Sequence, residues 1–202
     1  MGSEPAISEE SESGEPDVPA AADMHIRPAV DADAPAIATV LLRARSAAVA
    51  AGAMPAAVHP ASDMLRHVRE DLLARREVWV AEAAIASAPG TAAPAADAAE
   101  VVAVMSLDEE WLDDLYVAPE HAGHGVGSAL LQLAKALRPN GFDLWVFEVN
   151  APARRFYERH GLVQLERTDG SGNDERAPDC RYGWRPASAV SGAGSGCAEA
   201  PA

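Results

Sequence analysis

The run Ala122-Gly123-His124-Gly125-Val126-Gly127-Ser128 sets three alternating glycines between an apolar segment, Leu112 to Val117, and an amphipathic stretch carrying Leu130, Leu131, Leu133 and Leu137. Bare backbone at a helix N-terminus presents unpaired N–H groups, and the positive end of the helix dipole adds to them. Together they suit a phosphate or diphosphate. A glycine-rich strand-to-helix turn without a ligand is the plainer reading, but three alternating glycines exceed what a turn needs. Capture of a phosphate-bearing cofactor is therefore the chemistry to test against the rest of the chain.

Several anion sites compete. A P-loop needs Gly-Lys-Ser/Thr, and no lysine follows these glycines; Lys135 is the only lysine in the chain. A dinucleotide loop needs Gly-x-Gly-x-x-Gly and an acid about 20 residues on. Here Ser128 falls where the third glycine would stand, although Glu148 does end the next strand-like run. That arrangement is also similar to class I methyltransferases, in which an acid after the second strand grips a ribose. In both nucleotide folds the loop comes early and several βα units follow. In this chain over a hundred residues precede it, and only one helix and two strands come after.

The elements that must position the loop can be read in order. Met24 to Pro28 is a short strand, and Asp31 or Asp33 caps a helix through Ile37, Val40, Leu41 and Leu42 towards Ala51. A loop with Met54 and His59 leads to a second helix, capped by Ser62 or Asp63, whose Met64, Leu65, Val68, Leu72 and Leu73 recur at helical spacing. Glu77 to Ala83 and Val101 to Leu107 are β-rich runs around an Ala/Pro segment, Ile85 to Ala99, and predict an antiparallel pair. Strand Trp111 to Val117, the glycine loop, its helix and strand Phe142 to Glu148 make a βαβ unit, so those two strands are expected to be parallel. A helix Ala151 to Arg159 and strands Leu162 to Glu166 and Cys180 to Trp184 complete an α/β mixed sheet with helices on both faces.

The segment Asn150-Ala151-Pro152-Ala153-Arg154-Arg155-Phe156-Tyr157-Glu158 decides among the anion sites. With Leu115-Tyr116-Val117 and the glycine loop it resembles the GCN5-related N-acetyltransferase (GNAT) superfamily, over about Met24 to Trp184. The closing run Gly172 to Glu175 and Pro178 to Trp184 also resembles bacterial members without an assigned substrate. The resemblance implies a mixed, mostly antiparallel sheet with a central splayed parallel strand pair, and binding of acetyl-CoA. The diphosphate would lie on the N–H groups from Ala122 to Ser128. The pantetheine arm would make sheet-like bonds to Leu115 and Val117 beside Tyr116, in a cleft lined by Asn150. Unpaired amides of a splayed pair suit that role physically. Ala122 stands where the family has Gln or Arg, and His124 where Arg is common. The latter predicts cofactor affinity that strengthens as pH falls towards 6. Arg154 and Arg155 could supply charge to the cofactor's 3′-phosphate or be exposed helix arginines.

Acyl transfer to an amine needs a neutral nucleophile, a donor for the tetrahedral oxyanion and a proton for the leaving thiolate. By resemblance Leu115 N–H is the oxyanion donor and Tyr157 the acid. Asp113 and Asp114, or Glu109 and Glu110 before them, could take the amine proton, and strand alternation lets only one of Asp113 and Asp114 face the cleft. His59, Trp79, Trp111 and Asp174 are candidates for the acceptor side, with core packing the stronger reading for the two tryptophans. The expected enzyme is an N-acetyltransferase that moves acetyl directly to a small-molecule or peptide amine in a ternary complex. An acyl-CoA-binding module without transfer is the alternative, and the methyltransferase a more distant one.

Composition bounds the partners. The 202 residues suit one domain, expected over 24–185 between tails of low complexity, 1–22 and 186–202. A formal charge of −15 argues against nucleic acid, and seven acids without a Lys or Arg in the first 23 residues put much of it in the N-terminal tail. No apolar run approaches the ~20 residues of a membrane span, and the acidic N-terminus is the wrong sign for a secretory signal. Cys180 and Cys197 suggest no disulfide framework, which suits the cytoplasm. The six histidines show no metal-ligand spacing, so no metal is expected. The acceptor's identity and the oligomeric state, a homodimer included, are left open.

Overall fold

The computed structural model describes residues 24–84 and 99–186. The expectations for the N-terminal tail, for the Ala/Pro segment up to residue 98, and for the C-terminal tail with Cys197 lie outside the described residues. Seven strands form one sheet: β1 (His25–Pro28), β2 (Glu77–Ala84), β3 (Ala99–Asp108), β4 (Trp111–Val117), β5 (Phe142–Phe147), β6 (Val163–Arg167) and β7 (Asp179–Trp184), in the order β1-β2-β3-β4-β5-β7-β6. The helices are α1 (Ala34–Ala50), α2 (residues 61–75), α3 (Val126–Leu137) and α4 (Ala151–Arg159). Each expected element within these bounds is present, its ends shifted by a residue or two. Within α2 a wide π turn, Val68–Leu72, separates two short α segments.

Strand alternation gives the sheet two apolar faces. Val78 and Val80 of β2, Val104 of β3 and the Tyr116 ring meet Ile37 and Leu41 of α1 and Val68 and Leu72 of α2. Ala103, Met105, Leu112, Leu144 and Val146 meet Leu130, Leu131 and Ala134 of α3 and the partly buried Phe156 and Tyr157 of α4. Helices therefore cover both faces, as expected. Burying one such leucine contributes about 1.5–3 kcal/mol, so these two layers hold the cleft residues between them.

The expected helix caps are not made. The Asp33 carboxylate turns back to accept the Val30 N–H (2.8 Å) and grips Arg27 with both oxygens (2.7 and 2.9 Å), while Asp31 forms no cap either. Ser62 and Asp63 likewise make no side-chain cap. Both helices enter through a 3-10 turn whose backbone bonds, Asp33 N–H to Val30 and Asp63 N–H to Pro60, already use leading donors.

β4 and β5 are the parallel pair that the βαβ unit predicts, and they meet at one register position, Trp111 opposite Asp143. The Asp143 N–H donates to the Glu110 carbonyl (2.9 Å), and the rings of Trp111 and Trp145 stack at 6.5 Å. Beyond that point the strands part. β5 pairs along its other edge with β7 over all six residues, and β4 with β3. In the latter ladder Ser106 opposes Asp114 and Leu107 opposes Leu112, so Asp113 is the extra residue of a β-bulge.

Candidate functional site

At the open end of the splay lies the glycine loop. Gly123 and Gly125 have φ of 83° and 87°, a left-handed conformation that a side chain would strain, and Gly125 is the N-cap of α3. The backbone N–H groups of Gly123, His124, Gly125, Val126, Gly127 and Ser128 have no hydrogen-bond partner among the described residues. Ala122 does not join them, because its N–H closes the short turn Pro119–His121 on the Pro119 carbonyl (3.2 Å). Gly127 is helical, and a Cβ there would make ordinary contacts with Phe156 (3.6 Å) and Val117 (3.7 Å). His124 is exposed. Arg155 is exposed and without an ion-pair partner among the described residues, whereas Arg154 is held by the Tyr182 hydroxyl and the Glu148 carbonyl, both at 3.2 Å. Glu148, the acid a nucleotide fold would use, is paired with Arg167 (2.7 Å).

Amide orientation along β4 follows from one bond. Ala118 N–H donates to Val102 of β3 (2.8 Å), and alternate residues of an antiparallel ladder point their amides the same way. Tyr116 and Asp114 thus face β3, while Leu115 and Val117 turn N–H and C=O into the splay. A cavity of about 690 Å³ opens there, lined among others by Leu115, Tyr116, Asn150, Ala153 and Tyr157. The Asn150 Oδ1 accepts the Ala153 N–H (3.1 Å), capping α4 and leaving the amide nitrogen for the cavity. Tyr116 reaches the cavity by its side chain, and its hydroxyl accepts from Arg45 (3.2 Å).

Burial pushes the Tyr157 phenol well above its ordinary value, and the nearby Tyr116 and Asp114 add to the shift. It stays protonated at neutral pH, and no hydrogen bond within the described residues engages it. Asp113 lines the cavity, and its carboxylate accepts from Arg76 (2.5 Å); burial raises it above the usual carboxylate range despite that guanidinium. Asp114 lies towards α1 and accepts from the fully buried Ser106 hydroxyl (2.6 Å). Glu109 and Glu110 are exposed in the β3–β4 turn, at the closed end of the splay.

A second cavity of similar size lies against α1 and α2, with Leu42, Val49, Val58, His59 and Glu175 on its walls. Exposed His59 and Asp174 stand 3.9 Å apart at this side. Arg45 joins the two cavities, donating to Tyr116 on one side and to Glu175 (3.1 Å) on the other. Trp79 packs on the core beside α3 and α4, and Trp111 stacks on Trp145, so neither stands with His59 and Asp174. Sequence reasoning missed Arg45, which no spacing connects to partners 71 and 130 residues away. It also missed Trp145, whose phase opposite to Leu144 and Val146 marks it as facing away from α3. Among the described residues no three His, Cys, Asp or Glu side chains gather as a metal would need. No helix among them is long and apolar enough to cross a membrane.

Residues 74–163 match the family model described as an acetyltransferase (GNAT) domain. An uncharacterized N-acetyltransferase of Archaeoglobus fulgidus is 33% identical over 90 residues, 37% of this chain; the match spans 60% of that relative's length. Among solved structures, the apo form of YjaB from Escherichia coli superposes with a TM-score of 0.58 at 20% identity, covering 79% of this chain and 96% of that one. The PaiA N-acetyltransferase of Thermoplasma acidophilum, solved in complex with coenzyme A, gives 0.56 at 18% identity, covering 81% and 99%. The splayed parallel pair inside a mostly antiparallel sheet, the glycine loop and the family match over its central strands agree: this chain has the GNAT acetyltransferase fold.

Proposed function

We propose that this protein is an acetyl-CoA-dependent N-acetyltransferase that passes acetyl directly to an amine of a small molecule or peptide in a ternary complex. The observation that carries the reading is the order of groups along β4 and into α3. N–H groups from Gly123 to Ser128, without partners among the described residues, follow the outward amides of Leu115 and Val117, and Leu115 lines a cavity with a protonated phenol at its wall. A diphosphate, an amide-bearing arm and a thioester would be met in that order. Arg155, without an ion-pair partner among the described residues, supplies charge near the 3′-phosphate. Acetyl-CoA brings the activated acyl group. Leu115 N–H donates to the oxyanion as the carbonyl becomes tetrahedral. Tyr157 gives its proton to the departing thiolate. Asp113, the carboxylate on the cavity wall, takes the amine proton, directly or through water, with Asp114 behind it.

The test is thiol release from acetyl-CoA against a panel of primary amines, amino acids and peptides with free N-termini, each product checked by mass. Amine-dependent release supports the assignment. Tight CoA binding with no release for any amine would instead support an acyl-CoA-binding module.

A further inference from the structure

His160 follows α4, one turn beyond Tyr157 on the stripe that lines the cleft, and it touches the anion loop. Its Nδ1 lies 2.8 Å from the Phe156 carbonyl and its Nε2 lies 3.0 Å from the Ser128 hydroxyl, in the first turn of α3. A carbonyl can only accept, so Nδ1 carries the hydrogen. A neutral imidazole has one donor and one acceptor, so Nε2 is then the acceptor and Ser128 must donate to it. In that state the hydroxyl turns lone pairs, not its hydrogen, towards an anion resting on the loop.

We infer that His160 sets the orientation of the Ser128 hydroxyl and couples cofactor binding to the uptake of one proton. When the diphosphate arrives, His160 takes a proton from solvent at Nε2. The new N–H donates to Ser128, whose own hydrogen swings free to donate to the phosphate. The groups around His160 bear on the balance. Lys135 of α3 donates to the His160 carbonyl (2.6 Å), so a positive charge already stands at this corner and opposes a second one until an anion is present. On α4 the Glu158 carboxylate is taken by the Tyr182 hydroxyl (2.7 Å), and the Phe156 ring lies 4.4 Å from the imidazole. His124 is the other titratable group of the loop. His160 is thus a positioning residue for the cofactor, and the inference rests on the cofactor reading above.

The test measures affinity for CoA and for 3′-dephospho-CoA, whose diphosphate keeps a constant charge, at pH 8 and pH 6. The unmodified protein, His160→Phe, Ser128→Ala and His124→Gln are compared, with proton uptake read by calorimetry in two buffers of different ionisation enthalpy. The unmodified protein should bind dephospho-CoA about tenfold more tightly at pH 6, the scale of one hydrogen bond to a charged group. His160→Phe should be flat and take up no proton, Ser128→Ala should have a reduced slope, and His124→Gln should keep most of it. An undiminished slope in His160→Phe or Ser128→Ala, or its disappearance in His124→Gln, would overturn the inference. If His160→Phe does not fold, ring ¹⁵N shifts of His160 in the unmodified protein decide: singly protonated when free and doubly protonated when bound is expected. Absence of CoA binding at every pH would sink the cofactor reading itself, whereas pH-independent binding sinks only the role of His160.

Discussion

Gly125 and Gly127 differ in what they require, and replacing each by alanine separates backbone conformation from packing. Gly125 has φ of 87° and opens α3; an alanine there meets the steric cost of the left-handed region, about 1–2 kcal/mol. Gly127 lies inside α3, where alanine gains up to about 1 kcal/mol of helix propensity. The added methyl would touch Phe156 and Val117 at 3.6 and 3.7 Å, ordinary contact with no backbone in the way. Gly127→Ala should therefore raise the unfolding midpoint by about 2–4 °C and Gly125→Ala lower it by about 2–8 °C, taking the usual scaling for a domain of this size. CoA affinity should survive Gly127→Ala, because its Cβ points at α4 and β4 while its N–H stays free. Scanning calorimetry with a CoA titration on each variant provides the readout. Destabilisation by Gly127→Ala, or a Gly125→Ala protein as stable as its parent, would refute this account of the loop.

Tyr157→Phe should leave stability and CoA affinity unchanged, since the phenol engages no partner among the described residues, and lower kcat by about 10²–10⁴; unaltered turnover would remove the acid role. Asp113, held above the usual carboxylate range by burial, must be ionised to accept a proton, so kcat/KM should decline as pH falls through that raised value. Asp113→Asn should abolish this limb and most of the rate in a pH–rate profile, whereas Asp114→Asn should retain the limb. Arg27 holds both Asp33 and Glu82 below their usual range. Their stabilisation is present above the unfolded carboxylate value of about 4 and fades as pH drops through the lower folded values. Arg27→Met should then cost about 1–3 kcal/mol in urea unfolding at pH 7, with the gap to the parent narrowing at pH 3.

Much of the architecture was legible because its signals are local. The β-rich runs of β2 and β3, the 3.6-residue period of α3 and the glycine junction each lie in one short stretch. The parallel pairing of β4 with β5 follows from the short βαβ connection. The caps were misjudged because Asp33 had a stronger partner in Arg27, on a strand that comes before the helix. Tyr116 shares the Leu115-Tyr116-Val117 run, yet the ladder sends its amide the other way, which depends on which residue of β3 stands opposite. Asp113 escapes simple alternation because a bulge inserts it, and the bulge is a property of two strands together. Arg45 belongs to the site only because α1, β4 and the β6–β7 loop converge, a fact of tertiary structure alone.

The single register position at Trp111 and Asp143, clasped by two stacked indoles, acts as a fulcrum. From it β4, moving together with the β3 strand it is paired to, runs six residues to Val117, a lever arm of about 20 Å, so a turn of only about 5° carries the far end by on the order of 1–2 Å. Displacements of that size can alter acyl-transfer rates a hundredfold. Thinning either indole, well away from any reacting atom, should therefore register first as misalignment of the thioester and only afterwards as weaker folding.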